Sequence, residues 1–500
     1  METQELPEVQ AHRMLKDPTL LLSTGMIDGK PREAVDKRRF SVFEPSTGSV
    51  LIRCADLGKQ DFLDAISSAE HGTKRFYERT TARERGAMLF KWHHLILDNA
   101  DDLAVILSLE NGKTLAEARA EISSAASYIH WFAEESSRSY GDTVPSSMHN
   151  TQVMTFREPV GVCGIITPWN FPAAMIARKV APALAAGCSV VIKPPKETPL
   201  SALAMVKLAL SAGIPPDCYH VIPTTSREAS QELATNDAVK KISFTGSTHV
   251  GKLLTKLASG TMKRVSMELG GNAPFIIFED ANLDLAVEGL MTSKFRCSGQ
   301  TCVCANRILV HESVKDAFIE TLASRVATLR LGQGIKEGTT QGPLVNAAAV
   351  QKIGALVEDA LGKGAVLHVG GKVPPELQDR GFFYEPTVIS NVGPDMEVAK
   401  SEIFGPVAAV TTFVDEDQAI EIANSTVYGL AGYFFSQDVC RIARVARKLD
   451  CGMVGVNTGL MTAAETPFGG VKESGMGIEG SRYGMSEYQN IKAVTVGNLN

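Results

Sequence analysis

Hydrophobic and polar positions repeat on two different periods along the chain. Between residues 61 and 136, "DFLDAISSAEHGTKRFYE" and "ERGAMLFKWHHLILDNADDLAVILSLENGKTLAEARAEISSAASYIHWFAEES" carry apolar residues three and four apart, the period of amphipathic helices. The first 140 residues therefore read as mainly helical. "YGDTVPSS" (140–147) breaks the pattern, and "TQVMTFREPV" reads as extended. Short β-rich runs follow: "GVCGIITP" (161–168), "SVVIKP" (189–194), "YHVIP" (219–223), "KKISFTG" (240–246) and "KRVSMELGG" (263–271). Helical segments such as "SALAMVKLALSAG" and "STHVGKLLTKLASG" fill the gaps. This alternation predicts parallel βαβ units, an open sheet with helices on both faces. Ligands of such sheets bind beyond the carboxyl ends of the strands. A second alternating region opens near residue 275 with "PFIIFED", "LDLAVEGLMTSKFR" and "RILVHE" and runs to about 470. "YQNIKAVTVG" is a terminal strand whose partner is another edge or another subunit.

A chain of 500 residues is too long for one core, so two or more domains are expected. The net charge of −6, without a basic block, argues against nucleic acid or an anionic membrane as partner. The longest apolar stretch, "APALAAGCSVVI" (181–192), is shorter than the roughly 18–20 residues that a membrane span requires. "METQELPEVQ" has neither an apolar targeting core nor an Arg-rich, acid-poor character, so the protein reads as cytoplasmic. The nine cysteines are an odd number in a large chain, which disfavours a secreted disulfide framework.

Three of them crowd into "FRCSGQTCVC" (295–304). Zinc needs about four ligands in paired sets; the spacing here is C-x₄-C-x-C without a second cluster, so no metal is expected. Buried structural thiols are the plainer alternative. Yet "SGQTC" is a polar, Gly-containing loop after a helix, which suits a presented nucleophile better. Other candidates stand at strand ends. Asn170 sits in the rigid turn "ITPWNFP", either as an Asx-turn residue or as an amide aimed at an oxyanion. Glu268 in "MELGG" lies between Met267 and Leu269, where partial burial would raise its pKa toward general-base use. "FTGSTHVGKLL" places Gly246 and Gly251 at a strand–helix turn able to approach phosphate, although Leu253 rules out a Walker loop. Lys193 and Lys196 are either solvated lysines beside prolines or ligands of a ribose or its phosphate.

Taken in order, "TPWNFP", the "KP…TP" turn, "FTGS", "ELGG", "GQTC", "EIFGP" (402–406) and "PFGGVKESGMG" (467–477) resemble the aldehyde dehydrogenases. "SMELGG", "GQTCVCANR" and "GLAGYFFSQD" are most similar to the succinate-semialdehyde dehydrogenases among them. The resemblance implies an α/β fold: a parallel, doubly wound, Rossmann-like cofactor domain (1–137 and 160–267), an α/β catalytic domain (268–470) and a small β oligomerisation arm (138–159 and 480–500). It implies Cys302 as nucleophile, Glu268 as the base for the deacylating water, and Asn170 with the Cys302 backbone N–H as oxyanion hole. NADP or NAD would be held by Thr167, Trp169, Lys193, Lys196, Gly246, Ser247, Gly270, Glu402 and Phe404. Arg178, Arg296 and Thr462 would bind the substrate, with the arginines gripping its carboxylate unless each merely pairs with a local acid. The "CVC" run implies a reversible Cys302–Cys304 disulfide under peroxide. Two positions depart from the family pattern. Cys297 replaces the usual Asn, and Lys196 replaces a Glu of NAD-preferring relatives, which favours a 2′-phosphate and hence NADP. A homodimer or homotetramer oxidising succinate semialdehyde is the implied protein. Glutarate semialdehyde or lactaldehyde as substrate, or a thiol redox sensor on the same fold, are the alternatives.

Overall fold

The structure, a computed structural model, describes residues 7–378 and 380–499. Residues 1–6 of the expected cofactor domain, Asp379 of the expected catalytic domain and Asn500 of the expected arm lie outside the described residues. Among the described residues, the β-rich runs assemble into an eight-stranded sheet ordered Gly475–Met476, Arg264–Glu268, Val239–Thr245, Val162–Ile166, Ser189–Lys193, Tyr219–Val221, Gly25–Ile27, Lys30–Arg32. Its five central strands are parallel, as their alternation with helices requires. Both edges are antiparallel.

A seven-stranded sheet follows, ordered Val366–Val369, Thr387–Ser390, Val407–Phe413, Ala305–His311, Ala273–Ile277, Ala431–Phe435, Met453–Val456. Only Val366–Val369 runs antiparallel to its neighbour. The terminal strand Gln489–Val496 pairs antiparallel with Gln152–Pro159, which also pairs with Thr143–Val144.

The N-terminal region departs from the helical expectation. Arg39–Glu44 and Ser49–Ala55 form a two-stranded ribbon, and Gly25–Ile27 and Lys30–Arg32 extend the large sheet. Helices then dominate, as the three- and four-residue spacing predicts. Leu115–Glu135 begins at a capping box: Glu117 N–H donates to Thr114 Oγ1 at 3.2 Å, and Glu117 Oε2 accepts from Thr114 N–H at 2.9 Å. The helix Ala174–Ala186 is buried on every side, which its near-continuous apolar sequence permits. It stops at Gly187, whose φ of +95° suits glycine. These two helices pack together, and Glu121 of the first accepts from Ala173 N–H at the start of the second. The largest core cluster includes Ile122, Ile129, Ile176, Leu184, Val190 and Leu203 and also takes in Ala464, Met485 and Tyr488 from the far end of the chain.

Candidate active site

Cys302 stands where two cavities meet. The first, about 340 Å³, is lined by residues including Phe171, Arg178, Arg296, Cys297, Thr301 and Thr462. The second, about 280 Å³, runs past Trp169, Asn170, Gly246, Ser247, Gly270, Glu402 and Phe404. Among the described residues, Cys302 alone lines both. The second cleft adjoins a third hollow through shared walls at Val345 and Asn346, and Lys196 lines that hollow. Most of the residues singled out in the sequence thus come together from strand ends, as an open parallel sheet dictates.

The local chain explains the placement. Residues 297, 298 and 299 all have positive φ, so the backbone coils left-handed before the cysteine. Cys304 N–H then donates to Thr301 C=O at 3.0 Å, closing a turn over 301–304. Cys302 and Cys304 therefore do not lie along an extended strand. Cys304 is buried, its thiol 3.6 Å from the Lys294 carbonyl, and both cysteines are free. Gly271 makes the close approach possible: a Cβ there would stand 2.3 Å from the Cys302 carbonyl oxygen.

Burial pushes the Cys302 thiol up to about 12, against the pull of Arg178. A thiol with so high a pKa needs a nearby base before it attacks. Glu268 is close enough for its charge to act on Cys302. It ends the strand Arg264–Glu268, it is buried, and neither carboxyl oxygen has a hydrogen-bond partner among the described residues. Burial, reinforced by the charge of Glu479, holds its pKa well above the ordinary carboxylate value. Asn170 Nδ2 donates to the Gln300 carbonyl at 2.9 Å, while Asn170 Oδ1 is buried without a partner.

The second cleft fits a dinucleotide. Ser247 is the N-cap of the helix Thr248–Ala258 and makes no side-chain cap bond, so its hydroxyl and the helix N-terminus are available to a pyrophosphate. Thr245 Oγ1 is buried there without a partner among the described residues. Glu402 Oε1 accepts from Gly271 N–H at 3.1 Å, and burial raises its pKa to about 7. Trp169 and Phe404 meet edge to face at 5.5 Å. Thr167 is buried at the end of its strand with Oγ1 unpartnered; Lys193 ends the neighbouring strand and burial lowers its pKa. Lys196 is 61% exposed and 4.0 Å from Glu197.

The two arginines of the first cavity differ. Arg178 is buried against Glu479, Nη2 to Oε2 at 2.7 Å, and Lys179 holds the other oxygen of the same carboxylate. Arg296 is half-buried and has no ion pair among the described residues. Sequence reading missed Glu479, Lys179, Lys113, Glu117 and Glu121, all buried or half-buried in or beside this cavity.

The sequence model of the "Aldehyde dehydrogenase family" matches residues 32–494. This chain is an aldehyde dehydrogenase. The dehydrogenase is similar to the "3-sulfolactaldehyde dehydrogenase" of Pseudomonas putida, at 49% identity over 97% of this chain and 99% of that one. It is equally similar to the "Succinate-semialdehyde dehydrogenase [NADP(+)] 1" of Schizosaccharomyces pombe, at 49% over 95% of each. The crystal structure of succinate-semialdehyde dehydrogenase from Burkholderia pseudomallei superposes with a TM-score of 0.95 at 50% identity, covering 97% of this chain and 99% of that one. The enzyme is therefore an NAD(P)-dependent aldehyde dehydrogenase, and the expected fold class is borne out.

Proposed function

We propose that the enzyme oxidises succinate semialdehyde to succinate, with NADP⁺ favoured over NAD⁺. The observation that carries this reading is the cation Arg296 in the cavity on Cys302, with no ion pair among the described residues. A substrate carboxylate supplies that partner, and a guanidinium fork suits it. Thr462 lines the same cavity and offers a hydroxyl. Lys196, exposed in the hollow beyond the cofactor cleft, favours a 2′-phosphate.

In this mechanism Glu268 takes the proton of the Cys302 thiol, directly or through water, and the sulfur attacks the aldehyde carbon. The Asn170 amide and the Cys302 N–H hold the resulting oxyanion, an arrangement worth about 3–4 kcal/mol per donor. Ser247, Glu402 and Phe404 would hold NAD(P)⁺ in the second cleft, where it would supply the hydride acceptor. Collapse of the oxyanion would break the aldehyde C–H bond, the hydrogen leaving with its electron pair to that acceptor, and the acyl group would remain as a thioester on Cys302. Glu268 first passes the thiol's proton to solvent and then draws a proton from water; the water oxygen attacks the thioester, the C–S bond breaks, the leaving sulfur is reprotonated and the acid departs with the thiol restored.

The eight-stranded sheet would carry the cofactor, and the seven-stranded sheet the nucleophile. The three-stranded arm would join a homodimer or homotetramer, since Ile491 and Phe156 are exposed on it. A cytoplasmic location completes the proposal; no described helix is long and apolar enough to cross a membrane. A second reading is another anionic aldehyde, favoured by the equal identity to the sulfolactaldehyde enzyme. Assays of succinate semialdehyde, glutarate semialdehyde, 3-sulfolactaldehyde, lactaldehyde and an uncharged aldehyde, each with NAD⁺ and NADP⁺, decide between them. The highest kcat/KM for a substrate other than succinate semialdehyde overturns the first reading.

A further inference from the structure

The turn that carries Asn170 is held from behind by a buried ion pair outside the family motifs. Lys113 Nζ donates to the Asn170 main-chain carbonyl at 2.7 Å and to Glu121 Oε2 at 2.6 Å. It also lies 4.0 Å from the centroid of the Phe171 ring. Glu121 Oε1 accepts from the N–H groups of Ala173 and Ala174, at 2.9 and 3.2 Å. Both side chains are 1% exposed. The pair thus grips residues 170 to 174 through one carbonyl, one ring and two amides.

The same helix holds the other half of the site. Glu117 lies one turn before Glu121, so the two carboxylates share a face of Leu115–Glu135. Glu117 Oε1 accepts from Cys297 N–H at 2.7 Å. Cys297 has φ 52° and ψ 35°, and opens the left-handed run that leads to Cys302. Non-glycine residues in that region are costly and persist where surrounding contacts over-determine them. The run also positions Gln300, whose carbonyl receives the Asn170 side-chain amide.

We propose that Lys113, Glu121 and Glu117 are positioning residues that keep the Asn170 amide in register with Cys302. Lys113 and Glu121 set the Asn170 turn; Glu117 sets the nucleophile loop. None of the three reacts. They act on the part of the reaction common to all aldehydes, the developing oxyanion, and not on the distal end of the substrate. The inference rests on the oxyanion role given to Asn170 above.

A double-mutant cycle on the full-length enzyme tests it, read by single-turnover hydride transfer. Lys113→Met and Glu121→Gln should each slow the step by roughly 10- to 100-fold, the cost of misplacing a catalytic group by about an ångström. The loss should be equal for succinate semialdehyde and an uncharged aldehyde, with cofactor KM unchanged. In an Asn170→Ala background the same substitutions should cost less than about threefold, because residues acting through one group are not additive. Should either single variant fail to fold, the double variant Lys113→Met/Glu121→Gln, which leaves no buried charge unpaired, carries the same comparison. Equal losses with and without Asn170, or a loss confined to cofactor KM, overturn the positioning role. An Asn170→Ala enzyme with full activity instead overturns the oxyanion reading itself.

Discussion

Arg178 and Glu479 form a buried ion pair 2.7 Å long between residues 301 apart in sequence, beside the cavity that opens on Cys302. The carboxylate also binds Lys179. Burial opposes the arginine's charge, but Glu479 together with Tyr128, Glu268 and Cys302 outweighs it. Arg178 is therefore tied into the fold, whereas Arg296 has no ion pair among the described residues and lies over the Phe171 ring, 5.7 Å from its centroid.

The two arginines should separate on mutation. Arg296→Ala should cost about 2 kcal/mol or more in kcat/KM for succinate semialdehyde, and little for an uncharged aldehyde of similar length. Arg178→Ala should also lower the unfolding free energy, by at most roughly 3–5 kcal/mol because Lys179 still neutralises Glu479. Parallel kinetics and denaturant melts of the two variants check this.

Cys302→Ala should abolish oxidation of every aldehyde while cofactor binding stays near normal. Glu268→Gln should retain single-turnover hydride transfer better than turnover, so that a thioester accumulates and is visible by intact mass. Undiminished hydride transfer would take the thiol's proton away from Glu268, and undiminished turnover would remove it from deacylation as well.

Acid should weaken the enzyme in two ways. Glu402, raised by burial to about 7, is mostly protonated below neutrality and is then a poorer acceptor for a ribose hydroxyl. Cofactor KM should rise as pH falls through that value, and Glu402→Gln should flatten the profile. Glu268, also raised, loses its base form as pH falls, and deacylation slows with it. The sign for stability is opposite. A carboxyl with a raised folded pKa favours the fold below the unfolded value and loses that contribution as pH rises through the folded one. Glu268→Gln should therefore gain stability over the parent at alkaline pH, measured by denaturant midpoint.

Lys196→Glu should move the preference from NADP⁺ toward NAD⁺, because a carboxylate repels the 2′-phosphate. An unchanged ratio of kcat/KM values would mean that the lysine points into solvent.

Mild peroxide should inactivate the enzyme reversibly through a Cys302–Cys304 disulfide, and Cys304→Ala should escape the dithiothreitol-reversible part. The 301–304 turn and the inward-facing Cys304 thiol mean that the bridge forms only after the loop rearranges. Peptide mapping without a 302–304 linkage removes the switch and leaves the dehydrogenase chemistry intact.

Residues that advertise their chemistry were legible in the sequence. Cys302, Glu268 and Asn170 each stand in a strand-end or loop setting with an unusual local pattern, and the parallel sheet brings such ends together. Lys113, Glu121 and Glu479 were not legible, because each looks like a solvated charge until tertiary packing buries it. Glu121 meets Ala173 across 52 residues and Arg178 meets Glu479 across 301. Only the spacing of Glu117 and Glu121 on one helix face carried a signal. The ribbon Arg39–Glu44 and Ser49–Ala55 escaped because a shift of register between Val42 and Phe43 interrupts its period-two pattern.

Among the described residues the two chambers share Cys302 alone, and with the proposed ligands in them this sets rules for inhibition. A compound lodged beside Arg296 contests the aldehyde and leaves the dinucleotide's seat untouched; one lodged beside Glu402 does the reverse. A reagent that caps the sulfur blocks the doorway between them. It should defeat both ligands at once, giving a pattern that neither chamber's occupant produces alone.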